Sequence, residues 1–298
     1  TGDMDGSSTH FHRALKATGS PVPSNLFRQL LAVSREGVIQ ILHTWFPRIL
    51  TGKRSSDTAR GTLELFRAAL HDGLGYPYFF ARGPVPVLWT HLRHMNLAEK
   101  YQPGKELGRA YAYHAVVMTA IPMADRGARY AERAFDIHTA SGDRFGQGHA
   151  RSFNTMSLTT SGRFREAVGT GREAVQLLDE AGDVWEANMA RIMVSVPTYY
   201  LGELEEACRT AQTVLRVGYE TGDYMAVACA VLFGSPTAPH CLPEGTIESE
   251  LKRERRDPLS ASAVIQARGL EKLIREDDPI EAARWIKDSL DMAWRKMF

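Results

Sequence analysis

Ser141-Gly142-Asp143, Ala181-Gly182-Asp183 and Thr221-Gly222-Asp223 stand forty residues apart, and Gly162-Arg-Phe-Arg-Glu-Ala167 and Gly202-Glu-Leu-Glu-Glu-Ala207 fall between them at the same interval. Each Gly-Asp pair reads as one helix ending and the next beginning. Glycine takes the left-handed conformation after a last turn at little steric cost, and aspartate accepts backbone N–H bonds as the following N-cap. Gly162 and Gly202 divide each unit into two helices. Small residues recur at fixed phase: Ala115, Thr155 and Ser195 in the first helix, Gly127, Ala167 and Ala207 in the second, and Ala131, Gly171 and Ala211 one turn further on. The pattern predicts an all-α fold of helix pairs with a repeat of roughly forty residues. Stacked neighbours must bury the face that one pair cannot bury alone.

The pattern extends in both directions. Upstream, Gly104 ends a helix from Val87 to Lys100, and helices over 106–121 and 125–140 make another pair with Pro122 in place of the turn glycine. Before that, Tyr76 to Pro86 is aromatic and broken by Pro77, Gly83, Pro84 and Pro86, which predicts a loop packed over the array. Asp57 is expected to cap a helix that Gly73 and Gly75 close. Leu26, Phe27, Leu30, Leu31, Val38, Ile41, Leu42 and Trp45 form a stripe on a helix expected to start near Ser24, end at Pro47 and lie largely in the core. Arg48 to Ser56 reads as a basic linker. Downstream, Pro197 is expected to kink its helix, Gly234 to Gly245 to form an irregular turn, and Asp257-Pro258 and Asp278-Pro279 to cap two more helices. The segments are therefore 1–56 (N-terminal helices and linker), 57–223 (repeats) and 224–298 (irregular turn and terminal helices). Thr1-Gly2-Asp3 without an initiator methionine, and a last helix carrying Ile280, Ala283, Ile286, Leu290 and Trp294 to Phe298 with no polar cap, suggest a piece of a longer chain.

Composition narrows the class of function. With 44% hydrophobic and 24% charged residues, the 298-residue chain is globular, and Lys+Arg 36 against Asp+Glu 35 leaves +1, no electrostatic footprint for nucleic acid or an anionic membrane. No apolar run reaches the roughly 18 residues that span a bilayer. Cys208, Cys229 and Cys241 are odd in number and without paired spacing, which fits a reducing, cytoplasmic compartment. Cys208 reads as a core residue; Cys241, after His240 in a Pro-rich loop, is the one candidate for a reactive thiol, and a structural role is the favoured reading for it as well.

Several motifs dissolve in context. Gly169-Thr-Gly171-Arg-Glu-Ala174 matches a dinucleotide fingerprint but has no strand before it. Thr51-Gly52-Lys53-Arg54-Ser55 lacks the phosphate-loop spacing. Asp277, Asp278 and Glu281 resemble a magnesium-holding acidic motif but straddle a helix start, where acids cap. His91 and His94, three residues apart on one helix, lack further ligands in sequence and read as a surface or groove pair. No cofactor or metal is expected.

The quoted spacings resemble the tetratricopeptide (TPR) family, on Thr155, Gly162, Glu166, Ala167 and Ala174, then Ser195, Gly202, Glu206, Ala207 and Ala211; Gly171 stands where that family has an aromatic residue. The resemblance implies a right-handed superhelical solenoid of TPR-like helix pairs. Its first helices would line a binding surface that includes Arg109, Tyr113, Arg151, Asn154, Arg191, Tyr199 and Tyr200. The wider layout, through Phe11-His-Arg-Ala-Leu-Lys-Ala-Thr-Gly19-Ser-Pro-Val-Pro23, Leu42-His-Thr-Trp-Phe-Pro47 and Trp89-Thr-His-Leu-Arg-His-Met-Asn-Leu-Ala-Glu99, resembles the helical-repeat half of large bacterial signalling proteins that join an ATPase module to kinase or nucleotide-cyclase domains. It implies a non-enzymatic protein-interaction or ligand-sensing scaffold. The partners would be a protein, a peptide or other domains of the parent chain, or a second copy through uncapped ends. The alternative is an all-helical enzyme, metal-dependent or not, with a pocket near His240, Cys241 and Asp277.

Overall fold

Helix punctuation accounts for the architecture. The computed structural model describes residues 4–297 apart from Pro122 and Arg256, so the expectations at Thr1-Gly2-Asp3, at Pro122 and for the Trp294 side chain and Phe298 lie outside the described residues. The described residues form fifteen α-helices and no strand, with one isolated bridge between Arg54 and Tyr101. In chain order these are α1 (Met4–Ala17), α2 (Leu26–Trp45), α3 (Pro47–Leu50), α4 (Ala59–Ala81), α5 (Pro84–Ala98), α6 (Lys105–Ala120), α7 (Ala124–Ala140) and α8 (Arg144–Thr160). There follow α9 (Phe164–Glu180), α10 (Val184–Tyr200), α11 (Leu204–Thr221), α12 (Tyr224–Gly234), α13 (Thr246–Lys252), α14 (Pro258–Ile274) and α15 (Pro279–Met297).

The turns between helices carry the expected chemistry. Gly142, Gly182 and Gly222 have φ of +67°, +75° and +71°, where any side chain would be strained. Asp143, Asp183 and Asp223 then cap α8, α10 and α12, each accepting from the backbone N–H three residues on. Asp257 and Asp278 cap α14 and α15 in the same way.

Each helix from α4 onward packs on its neighbour in sequence, and α4, α6, α8, α10, α12 and α14 also touch in succession. Small residues permit that approach. A Cβ on Gly171 of α9 would stand 2.4 Å from Val194 of α10 and 3.0 Å from Thr155 of α8, so the glycine that replaces an aromatic lets three helices meet. Ala167, Ala174, Ala187, Ala190, Ala207 and Ala211 are all buried in these contacts. From the far side of the row, α14 touches α4 again, and Tyr76 of α4 reaches α10, its hydroxyl donating to Glu186 at 3.2 Å and its ring lying 5.3 Å from Trp185.

Four expectations are corrected. The stretch from Tyr76 to Pro86 is not a loop: α4 continues through Pro77 to Ala81, and α5 begins with Pro84 in its first turn, where the missing N–H costs nothing. Tyr78 explains the continuation, being buried with its hydroxyl 2.7 Å from His12 Nε2 of α1. Gly73 and Gly75 lie inside α4 rather than closing it, and Gly73 is where Phe11 of α1 seats, so close that a Cβ on the glycine would stand 2.4 Å from the ring. The caps of α2 and α4 are Asn25 and Thr58, one residue after the expected Ser24 and Asp57. The stretch from Arg48 to Ser56 includes the end of α3 and is docked, its backbone donating from Gly52 to Glu99 and from Arg54 to Lys100. Pro197, expected to kink its helix, lies inside a continuous α10 that ends at Tyr200.

Candidate functional site

The largest departure from the sequence reading is α2, whose apolar stripe faces away from the protein. Leu26, Phe27, Leu30, Leu31, Val38, Ile41, Leu42 and Trp45 share one face and are all exposed, Phe27 and Trp45 at 71%. Phe46, Ile49 and Leu50 carry the exposed apolar character on through α3. The inward face is largely polar instead, with Ala32 and Val33 packed half-buried against the cluster of Leu15, Leu70, Leu74, Tyr78 and Trp89. Glu36, 2% exposed, accepts from Arg93 Nη1 at 3.1 Å and Asn96 Nδ2 at 2.9 Å, and His43 Nδ1 lies 2.7 Å from Glu99. Gln40 is buried between them. Such spacing, 36, 40 and 43, is the i, i+4, i+7 of a docking face. The helix thus holds on mainly by hydrogen bonds and ion pairs to α5, with a small apolar contact at Ala32 and Val33, and leaves its large hydrophobic side chains in water. Arg28 and Arg35 edge the exposed stripe, and the one carboxylate of α2 is the buried Glu36.

A second polar region runs through the row of first helices. Arg109 of α6 donates to Asp72 of α4 at 3.0 Å and lies over the Phe145 ring, and His94 sits 3.7 Å from Asp72 and 3.5 Å from Glu106. Tyr113 packs edge-on against His149 and Phe153. Burial holds two imidazoles neutral: that of His71 falls to about 3, with Arg93 and His94 adding to the effect, and that of His149 to about 4. Glu186 is driven the other way, to about 7, by burial first, against the Tyr76 hydrogen bond and with the help of the Asp183 charge. His91 and His94 are buried, correcting the expectation of a surface or groove pair, and they diverge: His91 meets His114 at 3.0 Å while His94 meets the carboxylates. Among the described residues no group of three or more His, Cys, Asp or Glu is arranged to hold a metal ion.

The residues expected to line a binding surface separate into three settings. Arg109 and Tyr113 belong to the polar row just described. Arg151 and Asn154 of α8 turn to the second helices: Arg151 bridges Glu132 of α7 and Glu173 of α9 at 2.9 Å each, its guanidinium 3.6 Å from the Phe135 ring centroid, and Asn154 Nδ2 donates to Glu132 at 3.3 Å. Arg191 is held the same way by Asp179 of α9. Tyr200 is exposed, stacked on Phe164 at 5.0 Å, with Tyr199 against its edge.

His240, Cys241 and Asp277 have separate settings. A pocket of about 370 Å³ lies nearby, lined by 235–239, Ile274 and Arg275, and the Arg275 guanidinium donates to the carbonyls of Ser235 and Ala238 there. His240 is exposed beside Glu205. Cys241 is buried against Cys208, and burial followed by that contact pushes its thiol up to about 12, far from a thiolate at neutral pH. Asp277 has φ +51°, and Asp278 beside it serves as the cap. No helix among the described residues is long and apolar enough to cross a membrane.

No protein-family model matches this sequence, and a search of curated proteins gives no relative. Among solved structures, the chain is similar to BtubC (BKLC) from P. vanneervenii, with 14% identity over 91% of this chain and 92% of that one and a TM-score of 0.46, a likeness that fixes neither family nor function.

Proposed function

We propose that this chain is a non-enzymatic protein-interaction scaffold, working in the cytoplasm as a segment of a larger signalling protein and built as a right-handed solenoid of TPR-like pairs with forty-residue repeats. Support for the repeat comes from helix starts at Arg144, Val184 and Tyr224 behind identical glycine turns and aspartate caps. The observation that carries the function is the inverted α2. Monomeric proteins rarely expose contiguous apolar patches beyond roughly 300–600 Å², and larger ones mark interaction surfaces. Eight large apolar side chains on one face of a 20-residue helix form such a surface.

Its occupant is an amphipathic helix of a partner protein with acidic residues at its rim. Arg28 and Arg35 at the stripe's edge are complemented by carboxylates, whereas a second copy of α2 would bring only arginines. Titration with a helical peptide of leucine and glutamate heptads, followed by tryptophan fluorescence, should saturate with a blue shift from Trp45. Phe27→Gln with Leu31→Gln should abolish that binding without loss of helical content. A concentration-dependent dimer through this face, or preferential binding to vesicles of anionic lipid, would replace the partner-helix reading.

A further inference from the structure

Helix α7 places Arg126, Arg129 and Arg133 on one face, and that face forms a wall of a cleft of about 450 Å³ whose other wall is the end of α2 and α3, with Thr44, Pro47 and Thr51. The three guanidiniums have no carboxylate within ion-pair distance among the described residues, in contrast to Arg109, Arg151 and Arg191. The carboxylate closest in the cleft, Glu99, is already engaged: one oxygen meets His43 Nδ1 at 2.7 Å and the other accepts from the Tyr111 hydroxyl at 3.2 Å. Glu132, on the same helix, is taken by Arg151. Two of the arginines are also oriented. Arg126 Nη2 donates to Thr44 Oγ1 at 2.9 Å and its guanidinium lies 5.7 Å from the Tyr130 ring centroid; Arg133 lies 5.7 Å from that of Tyr111.

Like charges one and two turns apart on a helix repel one another, so a cleft of this kind is stabilised by a multivalent anion. We infer that it binds a small molecule carrying a diphosphate. A single carboxylate fills one guanidinium fork. The span from Arg126 to Arg133, about 10 Å along a helix axis, suits two linked phosphates. The volume falls within the roughly 300–1,000 Å³ of small-molecule sites and exceeds what a lone inorganic anion fills. Pro47 and the aromatic floor leave room for an organic portion.

Isothermal titration of the full chain at fixed ionic strength, with inorganic pyrophosphate and with ADP as probes, tests this. Saturable binding of either is expected, tighter for ADP if the organic portion is seated. Arg129→Gln with Arg133→Gln should weaken it at least ten-fold; both side chains are exposed, and an unchanged thermal melt verifies that the variant folds. Arg129→Lys, which keeps the charge and loses the fork, should cost several-fold and supports the site even if the double variant misfolds. Unchanged affinity in these variants, equal binding of citrate or of sulfate, or no binding at about 10 mM probe would overturn the assignment. The inference goes beyond partner binding by α2 and does not depend on it: Phe27→Gln with Leu31→Gln should leave the ADP titration unaltered.

Discussion

Helices α9 and α11 and helix α2 bury opposite kinds of surface. In α9 and α11 the contact faces are small and apolar, Ala167, Gly171, Ala174, Ala207 and Ala211 among them, while acids of α9 pair with arginines at the edges. In α2 the contact face is Glu36, Gln40 and His43 with Ala32 and Val33 beside them, and the large apolar residues are outside. Burying apolar surface is worth about 25 cal/mol per Å² and needs no particular partner, whereas a buried carboxylate is tolerated only while its hydrogen bonds are made. The packed pairs are therefore held by shape, and α2 by specific polar contacts. What the pairs hide, α2 offers.

That contrast can be broken in a graded series. The largest effect is expected from Glu36→Ala, which strands Arg93 and Asn96; removing one member of a buried pair costs about 3 kcal/mol or more. The loss should be local, read as proteolysis within 24–58 well before the main thermal transition. Cleavage unchanged from wild type would mean that α2 is held by something other than its polar face. Gly171→Leu makes the reverse test in the packed region. Its Cβ alone would meet Val194 at 2.4 Å, and overpacking costs about 2–3 kcal/mol, here appearing as a lower midpoint of the main transition.

A stabilising change comes next. The folded-state value of Glu186 is raised from the ordinary 4.5 to about 7, so its contribution is complete below about pH 4.5 and is lost as pH rises through 7. Glu186→Gln keeps an acceptor for Tyr76 and removes the charge; at pH 8 it should gain up to about 3 kcal/mol, at about 1.4 kcal/mol per pKa unit, and at pH 4 almost nothing. Denaturant melts at the two pH values decide it, and an equal effect at both would place the titration elsewhere. The smallest change in stability is expected from Trp45→Ser, within about 0.5 kcal/mol because the side chain is already in water, although peptide binding should fall sharply. A large loss of stability would show that Trp45 is packed in solution.

The site is unevenly legible in the sequence, for physical reasons. The arginines of α7 stand at i, i+3 and i+7 in plain sequence, but the facing wall comes from α2 and α3, about eighty residues earlier, so the spacing alone does not mark a cleft. Arg151 and Arg191 are conspicuous side chains on first helices, yet their helical phase sends them to acids of the second helices. The buried seam of Asp72, His94, Arg109 and Glu186 draws on four helices and has no local pattern.

The sequence by itself determined the punctuation of the repeats from α8 to α12. Glycine at positive φ and aspartate as N-cap act within four residues, so Gly142-Asp143, Gly182-Asp183 and Gly222-Asp223 need no tertiary context to be read. Tertiary structure decided which way an amphipathic helix turns. The stripe from Leu26 to Trp45 announces that α2 has two unlike faces but is silent about which one meets the protein, because that depends on what α5 presents. Arg93, Asn96 and Glu99 present polar groups that Glu36 and His43 pair with, and the cost of leaving those groups unpaired in the interior outweighs the exposure of leucines and aromatics to water.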